Sequence, residues 1–282
     1  MLTDDIIERA VADNVRVALL EDIGSGDVTA ELIPESADVN AIIITRENMV
    51  VCGGPWVDRV FSELDSNIEV KWNFDEGQQA HAGDTLLTLR GNARLLLTGE
   101  RTALNFLQLL SGTASTCQEY AELVAHTEVK LLDTRKTIPG LRIAQKYAAK
   151  TGGCFNHRIG LFDAFLIKEN HIAACGSINA AVQEAREQKT NVLIEVEVEN
   201  FEQLEQAINA DADRIMLDNF SVADMRTAVA QVAGKIDLEA SGNITRASIA
   251  DYAETGVDYI SIGALTKHCR AKDLSMRLEG TF

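Results

Sequence analysis

The spacing of apolar positions changes character once along this chain, near residue 110. Residues 4–20 carry apolar side chains at helical spacing, and the segment DIGSGDVT that follows is a loop rich in Gly, Ser and Asp. Short β-branched runs come next: VNAIIIT (39–45), MVVCGG (49–54) and IEVKWNF (68–74) read as strands. In DEGQQAHAGDTLLTLRG, turn glycines at Gly77, Gly83 and Gly91 surround an alternating strand. Residues 92–124 return to a helical period through Leu104, Leu107 and Leu110, with Gly112 as a candidate break. This half predicts a small α+β domain.

Beyond it the pattern is a repeated strand and helix. The strands are VKLLDT (129–134), AFLIKEN (164–170), NVLIEVEVE (191–199), DRIMLDN (213–219), IDLEASG (236–242) and VDYISIGAL (257–265), with 154–162 as a seventh candidate. Amphipathic segments separate them, and the later strands recur every 20–25 residues, the pitch of a parallel βα barrel or a doubly wound sheet. Ser177, Ser221 and Thr245 predict helix starts, and Gly234 and Gly256 predict helix ends. Almost every strand ends in a polar or charged residue, which favours a barrel, because there all strand C-termini converge on one site.

Composition narrows the function. With 282 residues, 46% hydrophobic, 24% charged and three prolines, the chain can bury a large ordered core. No run approaches the 18 or so apolar residues of a membrane span, and the acidic, amphipathic N-terminus resembles neither a signal nor a transit peptide. Five scattered cysteines without a CxxC point to reduced thiols in the cytoplasm. The five histidines show no tight metal spacing. A formal charge of −17 argues against nucleic acid, which requires a broad basic face.

Against that acidity, residues 130–170 hold eight Lys/Arg and three acids. Cations at strand ends suit a small polyanion. The strand ends form three sectors. Arg135, Lys136, His157, Arg158 and Lys168 form a cationic one, which surface solubility or salt bridges to Glu169 or Asp163 could also explain. Glu195, Glu197 and Glu199 alternate, so they share one side of their strand, and Asp218 ends the next strand. Such carboxylates suit Mg²⁺ held through water, or sugar hydroxyls. A half-exposed polar strand face is the plainer account of the glutamates, and a helix cap that of Asp218. Ser241-Gly242 and Ser261-Ile262-Gly263-Ala264, after the last two strands, let backbone N–H groups approach a phosphate.

Seven segments carry a resemblance over nearly the whole chain. GERTALNFLQLLSG (99–112), LLDTRKTIPGLRIAQKYAAKTGG (131–153), NHRIGLFDAFLIKENHI (156–172), IEVEVEN (194–200), IMLDN (215–219), EASGNIT (239–245) and ISIGALTK (260–267) closely resemble the quinolinate phosphoribosyltransferase family. The resemblance implies an α/β protein with an N-terminal α/β sandwich domain (1–112) and an open, incomplete parallel α/β barrel (113–270). The C-terminal residues from about 270 to 282 are expected to pack back on the first domain. It implies transfer of a phosphoribosyl group from 5-phosphoribosyl 1-pyrophosphate to quinolinate with decarboxylation, in NAD biosynthesis, by a homodimer using Mg²⁺. Carried onto matching positions, Arg135, His157, Arg158 and Lys168 bind quinolinate, with Thr134 beside them and Arg101 reaching in from a neighbouring subunit. Lys136 faces the pyrophosphate. Glu197 and Asp218 contact ribose and the Mg²⁺-bound pyrophosphate. Ser241, Gly242, Asn243, Ser261, Gly263 and Ala264 hold the 5′-phosphate. Many members have a second Gly where this chain has Asn243, a residue that tolerates left-handed backbone better than most.

Three rivals stand beside this. A Schiff-base lyase would use Lys136 or Lys168 as nucleophile. A molybdenum-transport relative would take another ring substrate, which retention of DTRK, NHR and LIK disfavours. A non-catalytic nucleotide-binding module would not need both Glu197 and Asp218.

Overall fold

The computed structural model describes residues 2–189 and 191–279, which form two compact units. One comprises Leu2–Gln118, Thr137–Gly153 and the chain from Leu265; the other comprises Glu119–Lys136 and Cys154–Ala264.

The first unit holds α1 (Asp4–Ile23), β1 (Asp38–Thr45), β2 (Met49–Val50), α2 (Gly54–Leu64), β3 (Glu69–Trp72), β4 (Gln79–Ala80) and β5 (Thr85–Asn92). The long α3 (Ala93–Leu123) begins there, and α4 (Arg142–Thr151), α10 (Ala264–Lys267) and β12 (Leu274–Glu279) add to it. Its main sheet is antiparallel, in the order β12-β1-β5-β3. The C-terminal β12 pairs with β1 from Asn40↔Glu279 to Thr45↔Leu274, while residues 280–282 lie outside the described residues. Trp56 and Phe61 of α2, Leu87 and Leu89 of β5 and Leu104, Leu107 and Leu110 of α3 are fully buried together. That is the outcome expected when alternating and helical apolar stripes meet.

Two expectations fail here. Of MVVCGG only Met49–Val50 is a strand, because Glu76 accepts hydrogen bonds from the Gly53 and Gly54 N–H groups and starts α2 there. Gly112 does not break α3. Instead it lets the helix approach other backbone: a Cβ would lie 2.1 Å from the Arg270 carbonyl oxygen.

The second unit carries β6 (Lys130–Leu132), β7 (Ala164–Ile167), β8 (Leu193–Val198), β9 (Arg214–Asp218), β10 (Asp237–Ser241) and β11 (Tyr259–Ser261). They form one parallel sheet in the order β6-β11-β10-β9-β8-β7. No pairing joins β6 to β7 among the described residues, so the barrel is open. The seventh candidate strand reduces to a single parallel bridge, Leu132↔Phe155. Helices α5 (Glu169–Cys175), α6 (Ile178–Gln188), α7 (Phe201–Asn209), α8 (Val222–Val232) and α9 (Ile249–Ala253) connect the strands. Ser177 and Ser221 accept from the N–H groups of Ala180 and Asp224, as their positions predict, and Asn200 caps α7 likewise. Thr245 is not a cap. Its N–H donates to Ser248 Oγ, and α9 starts only after Ser248.

Register divides this sheet into two faces. Ile194, Val196, Val198, Ile215, Leu217, Ala240 and Ile260 are fully buried on one. The pairs Glu195↔Arg214, Glu239↔Tyr259 and Ser241↔Asp218 lie on the other, which is the barrel interior.

Asp213 locks the start of this unit's central strands. Its carboxylate accepts from Arg186 of α6 at 2.9 Å and from the Ile194 N–H at 2.7 Å. Burial raises its carboxyl, but Arg186 and the Ile194 N–H outweigh that and hold it below the usual range. A depressed carboxyl stabilises above its unfolded pKa and loses that contribution as pH falls through the folded one. Arg186 and Asp213 are about a third exposed, so solvent screens the pair. Asp213→Ala is expected to cost about 1 kcal/mol at neutral pH and nothing near pH 2, as read by urea denaturation.

Candidate active site

Every strand of the parallel sheet runs toward the same end, so residues just past β6 to β11 collect at one mouth. Arg135, Arg158 and Lys168 line one cleft of about 500 Å³ that runs from the ends of β6 and β7 around the edge strand β7 to α6, with Leu161, Phe165, Ile167 and Ala181 among its apolar lining. Burial, then the nearby charge of Arg135, pulls the Arg158 guanidinium below its ordinary value. Two cations that destabilise one another mark a place where an anion is welcome.

The loop that presents them is tied down by acids. The fully buried Asp133 accepts from Asn156 Nδ2 at 2.6 Å and from the His157 N–H at 3.0 Å. Asp163 accepts from the N–H groups of Ile159 and Gly160, and Arg158 donates to the Ala164 carbonyl at 3.2 Å. Asp163 is thus a loop brace rather than a salt-bridge partner for the cations. Nor does Glu169 neutralise Lys168: the Lys168 ammonium meets Glu197 from the next strand, directly joining the cationic and acidic sectors.

His157 differs from its neighbours. Its ring is 9% exposed and turns into the barrel interior, with Nε2 3.0 Å from Glu195 and 3.5 Å from Glu239. Both glutamates are fully buried. Burial opposes a charged imidazole, yet the two carboxylates pull His157 up to about 9. Burial and then Glu239 push Glu195 up to about 7, with His157 opposing. Burial also acts on Glu239, but His157 and Ser261 hold it below the usual range. The Arg158 N–H donates to His157 Nδ1 at 2.8 Å, which requires a lone pair there. The pull toward a charged ring and the hydrogen bond at Nδ1 disagree; the hydrogen bond is the geometric observation, and it leaves the ring proton on Nε2, the edge facing the glutamates.

Of the three alternating glutamates, Glu195 and Glu197 share the interior face of β8, whereas Glu199 lies past the strand end and is exposed. Asp218 ends β9 two residues beyond Met216, the residue in register with Glu197, and so faces the same interior. Ser221 takes the helix-capping role, so Asp218 does not cap α8; its carboxylate accepts from Asn219 Nδ2 at 2.9 Å.

Two glycines shape the remaining sector. A Cβ on Gly263 would lie 2.9 Å from Lys136 Cδ, so the Lys136 side chain crosses that glycine, and Thr134 Oγ1 accepts from the Lys136 N–H. Gly242 has φ +98° and a Cβ there would lie 2.2 Å from Asn219 Oδ1. Asn243 is left-handed at φ +47°, the conformation its side chain tolerates. Ser241 accepts from the Asn219 N–H through its carbonyl at 3.0 Å, and Ser261 and Ala264 complete the rim beside Gly263.

Thr134, Arg135, Lys136, His157, Arg158, Lys168, Glu197, Asp218 and the Gly/Ser residues therefore belong to one unit and one end of one sheet. Arg101 is an exposed residue of α3 in the other unit. Sequence reasoning missed Glu239 and Arg214. The signal was present, since IDLEASG puts Glu239 on the same side as Ser241, and Arg214 is opposite Glu195.

An open parallel α/β barrel with cations, carboxylates and glycine-lined loops at its strand C-termini defines an enzyme class that handles anionic sugar phosphates. The sequence profiles of the quinolinate phosphoribosyl transferase N-terminal and C-terminal domains match residues 27–111 and 113–277. The chain belongs to the quinolinate phosphoribosyl transferase family. It is 42% identical over 258 residues to a probable nicotinate-nucleotide pyrophosphorylase (carboxylating) of Bacillus subtilis, covering 91% of this chain and 89% of that one. The enzyme of that name from Mycobacterium leprae is 39% identical over 279 residues, covering 95% and 97%. Among solved structures, the nicotinate-nucleotide pyrophosphorylase of Francisella tularensis superposes with a TM-score of 0.94 at 51% identity, covering 96% of this chain and 97% of that one.

Proposed function

We propose that this protein transfers the phosphoribosyl group of 5-phosphoribosyl 1-pyrophosphate to quinolinate with loss of CO₂, giving nicotinate mononucleotide and pyrophosphate. The reading is carried by the cleft in which Arg135, Arg158 and Lys168 converge above an apolar wall. Quinolinate is a flat ring with two adjacent carboxylates, so it needs several fixed cations and an apolar surface together. The guanidinium groups and Lys168 hold its carboxylates, and Arg101 reaches in from a second copy. Ser241, Gly242, Asn243, Ser261, Gly263 and Ala264 hold the 5′-phosphate. Free thiols at all five cysteines support a reducing, cytoplasmic setting, and no helix among the described residues is long and apolar enough to cross a membrane.

Positioning is the main contribution: the clamp aims the ring nitrogen at the anomeric carbon, which turns a bimolecular displacement into a nearly unimolecular one. As pyrophosphate leaves, positive charge develops on the ribose, and Glu197 and Asp218 stabilise it. Lys136, lying across Gly263, meets the leaving group. Glu197 and Asp218 are hard oxygen donors at adjacent strand ends, so they fit Mg²⁺ held through water, even with Lys168 on one oxygen of Glu197. Bound Mg²⁺ supplies charge neutralisation for pyrophosphate. Once alkylated, the ring nitrogen is cationic and stabilises the carbanion left on the adjacent ring carbon when its carboxylate departs as CO₂; a proton from water then completes the C–H bond of the product.

Ring specificity tests this reading. With phosphoribosyl pyrophosphate and Mg²⁺ present, quinolinate should be consumed, and nicotinate, which lacks the second carboxylate, should give no nucleotide. Equal turnover of both would overturn it.

A further inference from the structure

The interior of the barrel holds charges that the transfer reaction does not use. Arg214 Nη1 lies 3.5 Å from Glu239, and its guanidinium stacks 3.9 Å above the Tyr259 ring. Lys130 approaches that ring at 5.7 Å from the far side of the sheet order. Glu239 and Glu195 converge on His157 Nε2, and His157 Nδ1 receives the Arg158 N–H. The series runs without a gap from a stacked guanidinium at the bottom of β9 to the backbone of a clamp residue. Burying two carboxylates is costly. Glu239 is met by Arg214 and Glu195 faces His157 as a charge contact, and neither Glu195 oxygen closes a hydrogen bond. The ligand atoms of His157, Glu195 and Glu239 lie within 4.8 Å of one another, a spacing a cation would accept. Arg214 already supplies the positive charge there, so the cluster does not call for one.

We propose that Glu195, Glu239 and Arg214 are positioning residues for the dicarboxylate clamp, acting through His157. The two carboxylates face the Nε2 edge as charges at 3.0 and 3.5 Å, which biases the ring plane; Nδ1 then fixes the Arg158 N–H and with it the direction in which the Arg158 side chain leaves the loop. His157 thus serves the clamp as a strut, with both ring nitrogens facing protein groups. Asp133 acts on the same loop from the other side through Asn156 and the His157 N–H. The inference rests on the function proposed above for its kinetic arm and on the structure alone for its spectroscopic arm.

The kinetic arm uses the double variant Glu239→Leu/Arg214→Met, which removes the two paired charges together so that neither is left without the other. The KM for quinolinate is expected to rise about tenfold, while the KM for phosphoribosyl pyrophosphate moves less than about twofold. Glu239→Gln, which keeps an oxygen to accept the Nε2–H, should stay near the parent enzyme on both. An unchanged quinolinate KM in the double variant, or an equal rise in both KM values, would overturn the proposal. The spectroscopic arm is ¹⁵N NMR of the full-length parent protein without substrate. His157 should show a protonated Nε2 and an unprotonated Nδ1, and a proton on Nδ1 would overturn the proposal. If the parent protein does not turn over quinolinate, the functional reading fails, and the ring tautomer still decides the strut.

Discussion

Arg135→Ala should lose quinolinate while still binding phosphoribosyl pyrophosphate. Arg135 follows β6 and faces the same cleft as Arg158 and Lys168. The other two cations of the clamp are engaged by the protein, Arg158 with the Ala164 carbonyl and Lys168 with Glu197. Truncating one member of a charged hydrogen-bonding set costs roughly 3 kcal/mol, about two orders of magnitude in affinity. Calorimetric titration with each substrate in turn separates the effects, since the ribose phosphate is assigned to loops after β10 and β11. Near-normal quinolinate affinity in the variant would remove Arg135 from the clamp. Parallel loss of both ligands would mean that the variant disturbs the whole mouth.

Gly242→Ala should damage the phosphate side of the site instead. Gly242 combines φ +98° with the closest approach in the second unit's loops: a Cβ would lie 2.2 Å from Asn219 Oδ1 and 3.0 Å from the Asn219 nitrogen. Asn219 is itself left-handed at φ +56° and is anchored by its N–H to the Ser241 carbonyl, so it has little room to yield. Strain and overlap together should cost roughly 3 kcal/mol. Gly234 supplies the control, with φ +73° and nothing within 4 Å of its added Cβ. Gly234→Ala should carry the conformational cost alone, about 1 kcal/mol. Thermal unfolding of both variants isolates the clash. For the enzyme, Gly242→Ala should raise the KM for phosphoribosyl pyrophosphate well above any change for quinolinate. An unaltered KM for phosphoribosyl pyrophosphate would remove the loop from the phosphate site.

Much of this site is legible in the sequence because parallel strands impose simple rules. Period two separates Ile194, Val196 and Val198 from Glu195 and Glu197, and a strand followed by a helix makes each strand's C-terminus a site position. Lys136, Arg135, Asp218 and Ser241 can therefore be picked out before any coordinates exist. Two kinds of information are not local. Depth is one: Glu195 and Glu197 look alike in IEVEVE, yet the first is fully buried against His157 and the second meets Lys168 at the rim. Partner choice is the other. Lys168 is flanked in sequence by Glu169 but pairs with Glu197, 29 residues away, because β7 and β8 are neighbours in the sheet. Gly112 and Thr245 fail for the same reason, since backbone packing at Arg270 and the late start of α9 depend on the tertiary fold.

In the proposed reaction one active site joins phosphoribosyl transfer to decarboxylation of a pyridine dicarboxylate. The most direct measurement uses quinolinate labelled with ¹⁴C in the carboxylate adjacent to the ring nitrogen, with phosphoribosyl pyrophosphate and Mg²⁺. The expected result is one labelled CO₂ released per nicotinate mononucleotide formed, and none when phosphoribosyl pyrophosphate is omitted. Nucleotide that retains the label, or CO₂ released without phosphoribosyl pyrophosphate, would contradict it.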